Sequence, residues 1–279
     1  MGGADTIACV TETVVPPTVE RANTPDAAAE AAAAADAGTP DAPKAPRATK
    51  LLLARHAVTA QTGPLLSGRA PGIDLSDRGK EQARALGERL AGLPVTAVYA
   101  SPIERTMQTA AAVAAHHGLE VQTLAGVIEA DYGEWTGAKI VDLAKSDLWK
   151  TVQRAPSRAR FPDGESLAEM QVRMVSALES VVAEHPGELV VVVSHADPIK
   201  AAIAHFTGLH LDLFQRIVVS PASVTVFELS QYGSAMVKCN DTGSLEELLP
   251  RSSETSDPSA DEVKPGEPRP GEPKPGGAV

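Results

Sequence analysis

The sequence predicts an α/β fold of three layers, with helices on both faces of a mostly parallel sheet. Two uninterrupted aliphatic runs, at 51–54 and 189–193, are too short for helices and suit strands that are covered on both faces. Segments with strand patterns and helix patterns then alternate along the chain in units of the size that this fold class uses.

The elements are predicted in order along the chain. After the strand at 51–54, Ser76 is a candidate N-cap for a helix that runs to about Ala91. Pro102 suits the first turn of the next helix, where its missing N–H costs little, and Gly118 closes that helix. The remaining predicted elements are strands at 97–100, 189–193 and 223–229, the last of them being the final strand, helices at 102–117, 167–183 and 198–206, and an extended segment at 119–128.

Composition divides the 279 residues into three parts. Residues 16–48 are rich in Ala, Pro, Asp and Glu and almost lack large apolar side chains, and we expect the N-terminal segment 1–48 to be disordered. Residues 241–279 form an acidic tail rich in Pro and Gly, with a short tandem repeat of the linker type. The sequence therefore predicts one catalytic domain at 49–240.

Charge and cysteine content argue against a nucleic-acid-binding, membrane-binding or disulfide-rich secreted protein. The net charge is −11, but most of the acidity lies in the two ends, and residues 50–240 hold 20 acidic and 18 basic side chains. A near-neutral domain with acidic flanks predicts binding to neither nucleic acid nor a membrane. The two cysteines, Cys9 and Cys239, do not suggest a disulfide framework, and no secretory signal or transmembrane run is apparent, so we expect a cytoplasmic protein.

Polar side chains follow both buried runs at the point where each ends. Arg55 and His56 come directly after the first run, and Ser194 and His195 after the second. Since ligands of parallel sheets bind beyond the carboxyl ends of the strands, we expect these groups to meet at one edge. Two imidazoles and an arginine at one edge indicate a pocket for a dianion that already contains a nucleophile. Each histidine, taken alone, is also compatible with an ordinary core histidine.

Two further candidates come from the segments that follow. Arg105 lies one turn into the helix begun by Pro102, so its guanidinium can point back toward a helix N-terminus, which favours anions. The simpler alternative is a surface ion pair with Glu104 or Glu88. Glu129 precedes a Gly-Glu-Trp-Thr-Gly loop, from which its carboxyl group can overhang the site as a general acid, the alternative being a solvated glutamate.

Four motifs together resemble the signatures of the histidine phosphatase superfamily, in order and in spacing. They are Arg-His-Ala at 55–57, Ser-Pro-Ile-Glu-Arg-Thr-Met-Gln-Thr at 101–109, Glu-Ala-Asp-Tyr-Gly-Glu-Trp-Thr-Gly at 129–137 and Ser-His-Ala-Asp at 194–197. The resemblance covers about residues 50–230. It implies that His56 becomes phosphorylated, that Arg55, Arg105 and His195 hold the phosphoryl oxygens, and that Glu129 is the proton donor. It also implies that no metal and no other cofactor is needed.

Some positions depart from the family pattern. Thr62 stands where members often carry an Asn phosphate ligand, and its hydroxyl can still donate. Ala196 replaces a glycine but keeps an N–H to offer. Ser67 and Gly68, in the loop after the first strand, complete the predicted substrate-binding set of Arg55, Thr62, Ser67, Gly68, Arg105, His195 and Ala196.

The most direct interpretation is a phosphomonoester hydrolase acting through phosphohistidine on a small metabolite. A phosphoglycerate mutase-like phosphomutase is the alternative. The cofactor-dependent phosphoglycerate mutases carry an Arg and other specific residues around the acid motif that are not found here, so the resemblance favours the phosphatase branch. A scaffold protein is the third hypothesis, but a pure binder has no need of an overhanging acid. A metal site of His56, Glu129, His195 and Asp197 is disfavoured because two arginines aimed at the same point would repel a cation.

The substrate is expected to carry more than one negative charge. The stretch 138–162, which we name the lid segment, is predominantly basic in an otherwise acidic chain. Its cations would grip a second anionic group or steer anions inward, although a solvated helix face is an equal alternative. The basic residues are Lys139, Lys145, Lys150, Arg154, Arg158 and Arg160, against Asp142 and Asp147. The sequence gives no indication of the oligomeric state.

Overall fold

The computed structural model describes residues 48–243. The helices and strands within it are β1 (Thr49–Arg55), α1 (Asp77–Leu90), β2 (Val95–Ala100), α2 (Glu104–Ala114), β3 (Val121–Thr123), α3 (Ile140–Leu143), α4 (Asp147–Arg154), α5 (Leu167–Glu184), β4 (Leu189–Ser194), α6 (Ala196–Phe206), β5 (Val224–Ser230) and β6 (Gly233–Asp241). The disorder predicted for 1–48 and for the tail 241–279 falls almost entirely outside the described residues. Within 48–243, no helix is long and apolar enough to cross a membrane.

The strands form one mixed sheet in the order β3-β2-β4-β1-β5-β6. The first four are parallel, β5 runs antiparallel to β1, and β6 runs antiparallel to β5 and so has the direction of the first four. β1 and β4 are paired in a register that places Arg55 opposite Ser194. The residues that follow, His56 and His195, therefore emerge side by side at the same edge of the sheet.

The two aliphatic runs serve both faces of the sheet, as predicted. Leu52 packs in a cluster with α1 and α2 on one face, whereas Leu51 and Leu53 pack in a second cluster with α5 and α6 on the other. The run at 189–193 alternates in the same way. A fully buried aliphatic side chain of this size contributes about 1.5–3 kcal/mol to stability, so two strands buried on both faces anchor the three-layer fold.

The observed ends of several elements can be compared with the predicted ones. Ser76 caps α1 as predicted, accepting from Gly79 N, and Gly118 follows α2 with a φ of 64°. The predicted extended segment 119–128 shortens to β3 and a 3₁₀ turn at Ala125–Val127, where Gly126 lies against α5 too closely for any side chain. The close packing of this turn against α5 thus determines its conformation, although the residue pattern of 119–128 favours an extended strand.

The prediction that the strand at 223–229 is the last one was wrong. β6 follows β5 across a tight turn and pairs with it at the edge of the sheet. Its residues from Gly233 to Cys239 are all exposed. A strand that buries neither face has no apolar alternation, so the sequence offered no signal for it.

The lid segment folds as the short helices α3 and α4 and a 3₁₀ turn at Pro156–Arg158. It rests on a third apolar cluster in which Trp135 contacts Trp149 and Phe161 at ring-centroid distances of 6.1 Å and 5.5 Å. These aromatic contacts, together with the Ser166–Glu169 capping box at the start of α5, hold the segment against the domain.

Two turns meet without space for a side chain next to the acid motif. Gly133 has a φ of 52°, and a Cβ there would overlap the carbonyl oxygen of Pro162. A Cβ on Gly164 would in turn overlap the carbonyl oxygen of Asp131. The loop after Glu129 is therefore fixed by direct backbone contact to the turn at 162–164.

We expect Gly133→Ala to destabilise the protein strongly. The added methyl group meets backbone, which cannot rotate away, so we expect a loss of more than about 3 kcal/mol in the free energy of unfolding. Gly137→Ala is the matched control, since Gly137 also has positive φ (81°) but faces open space. It should lose only about 1–2 kcal/mol. Equal unfolding midpoints in urea for the two variants would contradict the proposed contact.

Candidate active site

The predicted catalytic side chains come together at the carboxyl edge of β1, β2 and β4. Arg55 ends β1 and His56 follows it, while His195 is the N-cap of α6. Arg105 is the second residue of α2 and is almost fully buried. The alternative of a surface ion pair for Arg105 is therefore wrong.

The hydrogen bonds of His56 identify its tautomer. Nδ1 lies 2.7 Å from the carbonyl oxygen of Ala57, which can only accept, so Nδ1 carries the hydrogen. Nε2 accepts from Arg105 Nε at 3.3 Å and therefore presents its lone pair. Burial, followed by the positive charges of Arg105 and Arg55, lowers the pKa of His56 to about 3. The imidazole is consequently neutral near pH 7.

Both arginines keep N–H groups without a protein partner. Arg55 donates from Nη1 to the carbonyl oxygen of Val219 at 2.7 Å, and Arg105 donates from Nη2 to that of Gly68 at 2.8 Å. Among residues 48–243, Arg55 Nε and Arg105 Nη1 are buried and lack an acceptor. A buried cationic donor without an acceptor is costly, so these groups are suited to an anionic ligand.

His195 lies behind His56, with ring centroids 5.2 Å apart. Its Nε2 is 2.8 Å from Ser101 Oγ, and its Nδ1 is 3.3 Å from Arg105 Nη2. Burial, and then the charges of His56 and the arginines, keep the pKa of His195 well below its usual value. Nδ1 is also 3.7 Å from Glu129 Oε2, which joins the second histidine to the candidate acid.

The carboxyl group of Glu129 is buried, unlike the solvated glutamate of the alternative hypothesis. Its Oε1 accepts from the backbone N–H of Ala130 at 2.9 Å. Burial raises the pKa of Glu129 to about 7, with a further contribution from the negative charge of Asp197, and Arg105 opposes the shift. Glu129 is thus able to hold a proton near neutral pH.

A cluster of charged residues positions Glu129 through its main chain. The carbonyl oxygen of Glu129 accepts from Arg69 Nε at 2.8 Å and from Arg173 Nη2 at 2.9 Å. Glu165 Oε1 accepts from both guanidinium groups, at 3.0 Å and 2.6 Å. Sequence analysis missed this cluster, because Arg69 is 96 residues away from Glu165 in the chain and the three members belong to a loop, a turn and a helix.

A cleft of about 280 Å³ opens over these groups. The predicted substrate-binding residues Thr62, Ser67, Gly68 and Ala196 all line it. The Thr62 hydroxyl accepts from Thr59 N at 2.9 Å, and the Ser67 hydroxyl donates to Gln61 at 3.1 Å. His195 lies beneath the cleft and is fully buried.

The lid segment does not supply cations to the cleft, contrary to the sequence-based expectation. It contributes Ile140, Trp149, Val152, Gln153 and Phe161 instead. Three of its basic side chains form ion pairs elsewhere, Lys145 with Asp142, Lys150 with Asp147 and Arg160 with Glu169. The amphipathic helix α4 turns its apolar side to the cleft and its charges to solvent, which the composition of the segment does not reveal.

Residues from outside the lid segment provide charge on another wall of the cleft. Asp197 and Lys200, both on α6, line it together with Gln215. Within residues 48–243, no group of three or more His, Cys, Asp or Glu side chains is arranged to hold a metal ion. Within the same range, the charged side chains that line the cleft are those of Arg55, Arg105, Glu129, Asp197 and Lys200.

Comparisons with known proteins agree with this geometry. The model of the histidine phosphatase superfamily, branch 1, matches residues 51–242. Phosphoserine phosphatase 1 of Hydrogenobacter thermophilus is 34% identical over 205 residues, which cover 71% of this chain and 95% of that protein.

Solved structures share the fold. YhfR of Bacillus stearothermophilus superposes with a TM-score of 0.66 at 26% identity, over 70% of this chain and 98% of that one. A phosphoserine phosphatase of Entamoeba histolytica in complex with phosphoserine has a TM-score of 0.64 at 23% identity, over 72% and 100%. Since the family match spans nearly all described residues and includes all four motifs, the chain belongs to the histidine phosphatase superfamily and is an enzyme of the phosphatase or phosphomutase type.

Proposed function

We propose that the protein is a metal-independent phosphomonoester hydrolase that acts on a small phosphorylated metabolite through a phosphohistidine intermediate. The observation that carries this proposal is the neutral His56, whose Nε2 lone pair lies beside the guanidinium groups of the buried Arg105 and the half-buried Arg55. Each of these groups has a buried N–H without an acceptor among residues 48–243. A nucleophile and an anion cradle thus share one position. The 34% identical phosphoserine phosphatase supports hydrolysis as the reaction.

His56 is suited to be the nucleophile because its neighbours keep it unprotonated. Two positive charges and burial disfavour the imidazolium form. The Nδ1–H bond to the carbonyl oxygen of Ala57 fixes the ring and stabilises the positive charge that develops when Nε2 attacks phosphorus. The hydrogen bond from Arg105 Nε to Nε2 is long, at 3.3 Å, and a phosphoryl oxygen can take over this donor.

The arginines would stabilise the charge on the transferring phosphoryl group. Phosphoryl transfer is catalysed mainly by fixed charges around the equatorial oxygens, and one such donor is typically worth about 10²–10³ in rate. Arg55 and Arg105 are anchored by backbone carbonyl oxygens, so they need little reorganisation when substrate binds. His195 lies at the same edge of the sheet, where its Nδ1 accepts from Arg105 Nη2 at 3.3 Å and so helps to hold that guanidinium.

Glu129 would serve as acid and then as base. In the first step His56 Nε2 forms a bond to phosphorus, the bond from phosphorus to the ester oxygen breaks, and the Glu129 carboxyl group protonates the leaving oxygen. In the second step water attacks phosphorus, its proton passes to the Glu129 carboxylate, and the N–P bond breaks to release phosphate. The enzyme returns to its starting protonation state.

His56→Ala should abolish phosphatase activity toward p-nitrophenyl phosphate, with a loss of at least about 10³ in kcat/KM, because no other group can form the intermediate. Wild-type enzyme quenched at alkaline pH should carry an acid-labile phosphoryl group. His205→Ala is the control, since His205 is exposed at the end of α6. A His56→Ala variant with a tenth of the wild-type rate would disprove the assignment of the nucleophile.

The pKa values predict the pH dependence of catalysis. Glu129 acts as a protonated acid with a pKa of about 7, and His56 acts neutral with a pKa of about 3. Between pH 3 and pH 7, Glu129 and His56 are both in the protonation states that catalysis requires, so neither group limits kcat/KM. Above pH 7, kcat/KM should fall about tenfold per pH unit as Glu129 loses its proton. Glu129→Gln should lose about 10²–10⁴ in rate on an alkyl phosphate and abolish this alkaline limb.

The same carboxyl group should make stability depend on pH. The folded pKa of Glu129 lies above the unfolded value, so the stability that protonation contributes is present at acidic pH and lost as pH rises through about 7. Glu129→Gln should therefore raise the melting temperature more at pH 8 than at pH 4. Glu134→Gln, at an exposed position of the same loop, should show no such difference. Identical behaviour of both variants would contradict the raised pKa.

Chelation should leave turnover unchanged. Arginine and histidine side chains would provide the charge stabilisation that metal ions supply in other phosphatases. Enzyme dialysed against EDTA and assayed in metal-free buffer should keep its full rate. A loss that a divalent ion restores would overturn the metal-independent mechanism.

A further inference from the structure

The second wall of the cleft carries a pair of opposite charges that take no direct part in the proposed chemistry. Asp197 and Lys200 lie on the first two turns of α6, directly after His195. Both side chains are mostly buried but retain 19% and 16% exposure, and both line the cleft. They thus face any group attached to a phosphate that is held by Arg55 and Arg105.

Asp197 retains an oxygen that can accept. Its Oδ2 accepts from the hydroxyl of Tyr132 at 2.9 Å, which fixes the carboxylate in place. Its Oδ1 lies 3.6 Å from Lys200 Nζ, too far for a hydrogen bond, and within residues 48–243 it accepts no other.

Lys200 likewise retains donors. Its ammonium donates to Gln215 Oε1 at 3.2 Å and lies 5.6 Å from the ring centroid of Phe214, so its position is fixed. An ammonium has three N–H groups, and within the described part of the chain only Gln215 accepts from it. Two donors are therefore left for a ligand.

A fixed carboxylate and a fixed ammonium 3.6 Å apart select a ligand by charge pattern. A ligand carboxylate alone would gain Lys200 but would meet the like charge of Asp197. A ligand ammonium alone would gain Asp197 but would meet Lys200. Only a group with both charges on adjacent atoms satisfies both side chains, and desolvation in a partly buried site strengthens this discrimination.

We propose that Asp197 and Lys200 form a subsite for the α-ammonium and α-carboxylate of a phosphorylated amino acid, with the ammonium on Asp197 and the carboxylate on Lys200. This inference rests on the proposed phosphatase function and specifies the substrate class. A cleft of about 280 Å³ suits a phosphomonoester of this size. The second charged group of the substrate is thus recognised from α6 and not from the lid segment.

Four phosphate esters test the subsite with the wild-type enzyme. O-phospho-L-serine carries both charges, phosphoethanolamine only the ammonium, 3-phosphoglycerate only the carboxylate, and propyl phosphate neither. At pH 6.5, kcat/KM for O-phospho-L-serine should exceed the values for phosphoethanolamine and 3-phosphoglycerate at least tenfold.

Variants assign the two charges separately. Each kcat/KM is divided by the value for propyl phosphate in the same variant. Propyl phosphate carries neither charge but, like the three charged esters, has an alkoxide leaving group that needs a proton, so the ratio removes effects on the shared chemistry, including any change in the proton on Glu129. Lys200→Met should lower the ratios for O-phospho-L-serine and 3-phosphoglycerate about 10- to 100-fold and raise the ratio for phosphoethanolamine. Asp197→Asn, which can keep the hydrogen bond from Tyr132, should lower the ratio for phosphoethanolamine and raise that for 3-phosphoglycerate.

Controls separate charge recognition from structural damage. Lys200→Arg should keep the preference for O-phospho-L-serine, because it keeps the charge. Lys150→Met removes an exposed lysine that does not line the cleft, and its ratios should match the wild type.

The outcomes separate this inference from the proposed function. Hydrolysis of propyl phosphate without preference for O-phospho-L-serine would overturn the subsite and leave the phosphatase function standing. Equal responses of all substrates to Lys200→Met would do the same. No hydrolysis of any of the four esters would overturn both. The wild-type comparison alone is decisive if a variant fails to fold.

Discussion

The burial of two arginines and two histidines at one edge of the sheet is the constraint on which the site depends. Positive charge removed from water is tolerated where a negative partner is close, and here backbone carbonyl oxygens and Glu129 provide only part of that compensation. The same burial holds His56 neutral and Glu129 protonated. In the proposed mechanism, one electrostatic arrangement thus prepares the nucleophile, the acid and the binding site for a dianion.

The arginines beside His56 and the residues that hold Glu129 differ in how fully their hydrogen bonds are satisfied. The main chain at Glu129 is held by Arg69 and Arg173, which Glu165 connects, and all three are well satisfied. The arginine donors beside His56 remain partly unsatisfied. Rigidity is therefore concentrated around the group that must keep its distance from the leaving oxygen, and unused bonding capacity is concentrated where the phosphoryl group would bind.

In the proposed mechanism, one short stretch of chain serves both catalysis and substrate selection. His195 precedes α6, and Asp197 and Lys200 lie on its first two turns, so the helix fixes the proposed second subsite relative to the proposed phosphate site. The lid segment closes the cleft with aromatic and aliphatic side chains. Its charges remain in solvent, which leaves α6 as the source of specificity in the proposed subsite.

The sequence by itself determined the fold class, the four motifs and the five candidate catalytic residues, because buried strands and strand-end polar groups leave local patterns. It did not reveal β6, whose exposed residues form no pattern. Only the tertiary structure shows that Arg69 and Arg173 donate to the same carbonyl oxygen. It also shows that the cations of the lid segment do not line the cleft and that Lys200 does. Such features depend on which side of an element faces which neighbour, and that orientation is decided by packing between segments far apart in the chain.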